Sequence, residues 1–266
     1  MRGAGVDMYD LAALNIALSG TVFAGKLHFS PITDSTNSDA QEAARSGRAH
    51  GSVFFADEQL AGRGRGDHTW HSEAGVGLYV SVLLRPPVPL QRLPLLPLAA
   101  GLAAAEAIHS VSGLIVDLRW PNDLLIGPRK VGGILVEAKS ARGAVDYAVV
   151  GLGINVHQRG FDSDLAAFAT SVDLETQQKI SRQDLLIALL ESLEREANRL
   201  ADPAAGITIP ARVEQASTWI RGRRVEVHGP QACTGLTAGL DEHGFLRVQT
   251  EAGLLIVQTG GIRSAD

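Results

Sequence analysis

Cysteine is almost absent from this 266-residue chain, which holds Cys233 alone. One thiol excludes an intramolecular disulfide and a multi-cysteine zinc site, and leaves a small packed residue as the ordinary reading against a catalytic thiol. Excess positive charge is missing too. Lys and Arg number 24 against 29 Asp and Glu, for a formal net charge of −5. That balance argues against wholesale nucleic-acid binding, while leaving room for a local basic pocket. Aromatic residues are 5% of the chain, too few for an RNA-binding surface of stacked bases. Clean apolar runs are scarce. The run Leu11–Phe23 contains Asn15, follows Asp7 and Asp10 and precedes Lys26, which argues against a secretion signal. The stretch Leu93–Ile108 contains Pro94, Pro97 and Glu106 and reads as too short to span a bilayer. Internal repeats and low-complexity segments are absent. A reducing, cytoplasmic setting is the expectation.

What remains is the composition of a soluble protein, 45% hydrophobic and 20% charged, with length for one medium domain plus a small one. A short amphipathic helix is expected over Tyr9–Ser19, a strand over Lys26–Ile32 and a helix over Ser38–Arg45. Strands are expected at Ser52–Ala56 and Gly77–Leu84, where residues are β-branched and apolar. The alanine- and leucine-rich stretch Leu93–Ser110 predicts a buried helix. Further strands are expected at Leu114–Arg119, Val131–Ala138 and Asp146–Asn155. Between Val156 and Ile180 no period emerges, which predicts a long mobile loop. Ser181 and Asp184 then form a capping-box pattern ahead of a leucine stripe from Leu185 to Leu200. The composition changes near Trp219. Short alternating runs at Val225–Val227, Gly235–Leu240, Phe245–Gln249 and Leu254–Gln258 predict a small all-β domain.

Four stretches carry chemistry. Asp34-Ser35-Thr36-Asn37 can cap a helix or bond a polar ligand head. Gln59-Leu60-Ala61-Gly62-Arg63-Gly64-Arg65-Gly66, followed by Trp70, offers close backbone approach and two guanidinium forks suited to carboxylate or phosphate. A solvated or RNA-touching loop is its other reading, and no Gly-Lys-Ser/Thr follows to make it a Walker loop. Arg119-Trp120-Pro121-Asn122-Asp123 is first of all a turn. Behind it, Lys130 stands before Gly132 and Gly133, paired glycines that signal a bulge or a ligand at close range. Gly151-Leu152-Gly153-Ile154-Asn155 reads either as simple packing or as a surface for a nucleotide.

In this order along the chain, these motifs resemble those of the biotin protein ligase family, and the resemblance covers nearly the whole sequence. It implies an α+β fold, a mixed β-sheet flanked by helices of the class II aminoacyl-tRNA synthetase-like, biotin–lipoate ligase type. The catalytic domain would span 1–219 and a small C-terminal Src-homology-3-like β-barrel 220–266. It implies ATP-dependent activation of biotin to biotinyl-5'-AMP with Mg2+, and transfer to a lysine of a biotin carboxyl carrier protein. Biotin would contact Ser35, Thr36, Asn37, Gln59, Arg63, Gly64, Arg65, Lys130, Gly132 and Gly133. The catalytic charges would be Arg63, Arg65 and Lys130. Trp70, Arg119, Asn122, Asp123 and Asn155 would meet the nucleotide, and no magnesium ligand is assigned beyond a role open to Asp123. The loop after Val156 would order on ATP binding. With no helical module ahead of the first strand, direct DNA binding is not expected. Neither is a membrane role, whereas a homodimer is an open expectation. Two departures stand out: Arg119 replaces the family's usual lysine, and Asp67 lowers the charge of the arginine loop. A lipoate ligase would share fold and chemistry, but the Gly-Arg-Gly-Arg and Trp-Pro-Asn-Asp runs favour biotin.

Overall fold

The computed structural model of the chain describes residues 9–66, 68–141, 143–176 and 178–265. The N-terminal helix α1 (Leu11–Ala17) starts where the Asp10 side chain accepts hydrogen bonds from the backbone N–H of Ala12 and Ala13. Strand β1 (Leu27–Thr33), helix α2 (Thr36–Arg45) and strands β2 (Ser52–Gln59) and β3 (Gly77–Leu84) follow. A 3-10 turn (Leu90–Leu95) leads into α3 (Leu96–Ser112), which Gly113 terminates in the left-handed region at φ 72°. Strands β4 (Asp117–Arg119), β5 (Asp123–Ile126), β6 (Arg129–Ala141) and β7 (Ala144–Asn155) complete the main sheet. Its order is β1-β2-β3-β7-β6-β5-β4, with β1 and β2 parallel and the other pairs antiparallel. A mixed sheet was expected, and this is one.

Helices cover both faces of the sheet. The apolar side of β6 and β7 meets α3, where a Cβ built on Gly101 would lie 3.6 Å from Ile134 Cδ1. Helix α6 (Arg182–Ala201) packs on α3 through its buried leucines, and Ser181 Oγ accepts from Asp184 N as the capping pattern predicts. The opposite face carries α2, whose Ala40 and Ala44 pack with Leu83, Tyr147 and Val149. The 3-10 turn and α3 together run 23 residues, long and apolar enough by composition to cross a membrane. That is longer than the stretch Leu93–Ile108 expected from the sequence. Most of the segment is nevertheless buried inside the protein.

The stretch from 156 to 180 departs from expectation. It is not structureless: α4 (Ser163–Ala166) and α5 (Val172–Glu175) lie within it, and Ala169 forms a parallel bridge to Lys130. Lys130 N donates to Phe168 O at 2.7 Å, and Thr170 N donates to Lys130 O at 2.9 Å. These bonds join residues distant in sequence, so no local period announces them. Two short helices, α7 (Pro203–Gly206) and α8 (Ile209–Gln215), lead to the last strands.

Strands β8 (Arg221–His228), β9 (Cys233–Leu240), β10 (Leu246–Thr250), β11 (Gly253–Val257) and β12 (Gly261–Ser264) form a second antiparallel sheet, in the order β11-β10-β9-β8-β12. Among the described residues no ladder joins β11 to β12, so this sheet is open where a closed barrel was expected. Its Val225, Val227, Leu246 and Val248 belong to the same apolar core as the main sheet. Trp120 Nε1 donates to Gly244 O at 3.1 Å, tying the Trp-Pro-Asn-Asp turn to the second sheet.

Candidate active site

Strand alternation puts small residues on one face of β6 and β7. Gly133 pairs with Gly153, and Leu135 with Gly151. On β3, Tyr79 and Ser81 continue those two rows, while Asp123 of β5 stands beside Gly133. The result is a shallow floor crossed by three glycines. Each is small for a reason. A Cβ on Gly153 would meet the Trp70 indole at 2.5 Å, one on Gly133 would meet both Trp70 and the Lys130 Nζ at 3.3 Å, and one on Gly151 would collide with Asn37 Oδ1. Above the floor opens a cleft of about 2050 Å³, larger than an ordinary small-molecule site and of a size to hold two ligands side by side.

At one end lies the start of α2. Ser35, Thr36 and Asn37 are buried there at 3–4% exposure. Ser35 is the N-cap residue, yet its side chain makes no capping hydrogen bond, so the helix does not consume its hydroxyl. Gln59 Oε1 accepts from Thr36 N at 2.9 Å, and Gln59 Nε2 donates to Ser72 Oγ at 2.7 Å. This end is rich in hydrogen-bonding groups and holds no net charge of its own.

Charge concentrates at the other end. Lys130 Nζ lies 2.5 Å from Asp123 Oδ1, while Arg119 binds Asp123 Oδ2 through Nη2 at 2.7 Å and Nε at 3.1 Å. Burial works against an ionised Asp123, but the two cations outweigh it and hold the carboxyl below its usual range. Lys130 Nζ also sits 5.6 Å from the centre of the Trp70 ring. The Trp70 Nε1–H is buried without a hydrogen-bond partner among the described residues, an unmet donor on the cleft's floor.

The arginine loop spans the two ends. Arg63 pairs with Glu137 through both guanidinium nitrogens, at 2.7 and 3.1 Å. Arg65 reaches the second sheet, donating to Gly260 O and, at 2.7 Å, to Thr259 Oγ1. Burial lowers the Arg65 pKa, with Asp123 acting in the opposite sense. The residues expected to contact a ligand thus line one cleft, with one exception. Gly132 faces the other way, where a Cβ would press on Leu124 Cδ1 and Gly153 O, each at 2.9 Å. Its smallness serves packing of the sheet. Asn122 and Asn155 border the cleft with their amides engaged: Asn122 Nδ2 donates to Ile134 O at 2.9 Å and Asn155 Nδ2 to Thr170 O at 3.0 Å. Asp67 lies outside the described residues. Ser81, a polar residue inside an otherwise apolar strand, is not singled out by the sequence. Glu137 closes the Gly-Gly-Ile-Leu-Val-Glu run that supports the family resemblance, but no role is expected for it from sequence.

The model of the biotin/lipoate A/B protein ligase family matches residues 29–155. A biotin–[acetyl-CoA-carboxylase] ligase of Mycobacterium tuberculosis is 33% identical over 244 residues, covering 86% of this chain and 85% of that protein. The chain belongs to the biotin protein ligase family. Another member, the bifunctional ligase/repressor BirA of Bacillus spizizenii, is 31% identical over 257 residues, or 94% of this chain and 77% of the relative. The fold agrees with that of a biotin protein ligase from Aquifex aeolicus solved in complex with biotin and ATP, at a TM-score of 0.78 and 29% identity, covering 90% of this chain and 98% of that one. In this ligase the polar end and the cationic end of the cleft share a single glycine floor.

Proposed function

We infer that this chain is an ATP-dependent biotin protein ligase, which activates biotin to biotinyl-5'-AMP and transfers the biotinyl group to a specific lysine of a biotin carboxyl carrier protein. The observation that carries this reading is the arrangement of the cleft. A neutral hydrogen-bonding pocket and the Lys130 ammonium stand at opposite ends of one floor, under two loop arginines.

The first step joins two anions. A biotin carboxylate oxygen attacks the α-phosphorus of ATP and pyrophosphate leaves. Positive groups fixed at the reacting oxygens lower that barrier. Lys130 is held at the floor's edge by Asp123 and takes this role, with Arg63 and Arg65 moving in from their present partners. Ser35, Thr36, Asn37 and Gln59 receive the ureido end of biotin, and Gly64 and Gly133 allow close approach along its length. Trp70, Arg119, Asn122, Asp123 and Asn155 border the nucleotide. Arg119 offers a planar fork where the family's usual lysine would offer a point charge. In the second step the carrier's lysine amine attacks the acyl carbon, loses a proton and displaces AMP. Both nucleophiles come from substrates, so the chain needs none.

Magnesium accompanies the nucleotide in this reading. The described residues contain no group of three or more His, Cys, Asp or Glu able to hold a metal ion, and both Asp123 oxygens are engaged by cations. No protein ligand is therefore assigned to it. We divide the chain into a catalytic unit of 1–219 and a C-terminal unit of 220–266 related to Src-homology-3 folds.

The deciding experiment incubates the purified chain with biotin, ATP, magnesium and a carrier domain, followed by intact-mass analysis. A gain of one biotin on the carrier is expected. In Lys130→Ala the rate should fall on the order of 10²–10³-fold. A gain with lipoate but none with biotin would move the chain to the sister activity.

A further inference from the structure

The hydrogen-bond network around Glu137 has a direction, and that direction reaches the head-group end of the cleft. Glu137 lies on the cleft-facing row of β6, two residues beyond Leu135. Paired with the Arg63 guanidinium, its carboxylate can only accept. Its third bond comes from Asn37 Nδ2 at 2.9 Å, which fixes the orientation of that amide. Asn37 Oδ1 must then accept, and it does so from Ser81 Oγ at 2.5 Å. The single Ser81 proton is now committed, so in its 2.8 Å contact with Thr36 Oγ1 the serine accepts and the threonine donates. The Thr36 proton is committed in turn. Gln59 Oε1 competes for that proton at 3.1 Å; with the proton on the shorter 2.8 Å contact to Ser81, Thr36 Oγ1 and Gln59 Oε1 stand as neighbouring acceptors, and Thr36 N donates to the latter. Thr36, Asn37 and Ser81 are all buried, so water does not scramble the order.

We propose that Glu137 is a positioning residue. Its charge sets the polarity of the relay Asn37–Ser81–Thr36, so that the head-group end of the cleft presents acceptors to a ligand carrying adjacent N–H donors. A cyclic urea is such a ligand. The proposal rests on the biotin ligase reading and extends it by naming what orients the recognising groups. Leu135 O also accepts from Asn37 Nδ2, at 3.5 Å, a neutral and longer contact than the 2.9 Å bond to the carboxylate.

The test is a set of variants measured for biotin binding by calorimetry without ATP, and for kcat and KM with ATP and carrier. Glu137→Gln keeps the shape but adds a donor, so Asn37 can turn over. Biotin binding should weaken at least about tenfold, while kcat at saturating biotin and the KM for ATP stay within about threefold. Glu137→Asp, still acceptor-only, should recover part of the loss. Ser81→Ala cuts the same relay further along. Glu137→Gln added to Ser81→Ala should therefore cost less than about twofold more. The Glu137→Gln loss should also persist in an Arg63→Ala background. Additive losses in the Ser81 pair, a loss confined to kcat, or a loss that vanishes without Arg63 would each overturn the relay. Wild-type protein that binds no biotin would refute the ligase reading itself, a result the unmodified chain alone reveals. Thermal unfolding of each single variant separates lost binding from lost fold, and the Gln-against-Asp contrast decides the matter if the double variant does not fold.

Discussion

On β7, Leu152 and Ile154 point toward α3 and are buried among Leu, Ile and Ala side chains, whereas Gly151 and Gly153, one position away, underlie the cleft. Strand β6 repeats the contrast, with Ile134 on the helix side and Gly133 beside Lys130. The same backbone serves two purposes because its side chains alternate with a period of two. One face is filled to keep water out. The other is emptied so that Trp70, Asn37 and a ligand can lie close to the main chain. Stability and activity should therefore separate at neighbouring positions.

The sharpest way to break that separation is Gly153→Val. A side chain there displaces Trp70 from the floor, and biotin transfer should fall on the order of 10²-fold, read by the carrier mass assay. Far-ultraviolet circular dichroism should stay that of the wild type. If activity survives, the floor is not where the ligands lie. Next to it, Leu152→Ala should cost about 3 kcal/mol of folding free energy, measured by urea unfolding, with turnover per folded molecule retained.

Asp123→Asn tests a residue that belongs to the cleft yet contributes to folding. Its folded pKa is depressed relative to the unfolded chain, so its contribution is present above the unfolded carboxylate value of about 3.9 and is lost as pH falls through the folded value. At neutral pH the variant should be less stable by about 2 kcal/mol. The gap between the two proteins should narrow in unfolding curves taken below about pH 4. A gap that widens there would reverse the assigned sign. The smallest effect belongs to Ser181→Ala, which removes the cap of α6 on the filled side. Thermal unfolding should register about 1 kcal/mol, with no change in biotin KM.

The sequence revealed these two faces unequally. Strand β3, Gly77–Leu84, was legible to the residue because it is buried along its whole length and reads as one apolar run. Strand β5 was not, since its four residues begin inside a Pro-Asn-Asp turn. Nor was β12, whose Gly-Ile-Arg-Ser carries little strand signal. The two short helices α4 and α5 within the expected long loop were not legible, because they are four residues each and their placement comes from contacts with Lys130 and short caps. At the site, Gly-rich and charged motifs stood out by type. Ser81 did not, and Glu137 stood out only as the end of a motif, because the part each plays depends on a partner on α2. Gly132 looked like its neighbour Gly133, and only the parity of the strand separates them.

Arg65 and Gly260, which meet at the cleft, lie 195 positions apart in the chain. A polypeptide emerging from the ribosome exposes the arginine loop long before it acquires the turn on which that loop docks. Until then the loop has no resting place, and the cleft lacks the side formed by residues 259–264. Termination between β8 and that turn would release a chain that holds the strands of the glycine floor but leaves the charged loop unmoored, so an order of assembly is written into the spacing of two residues.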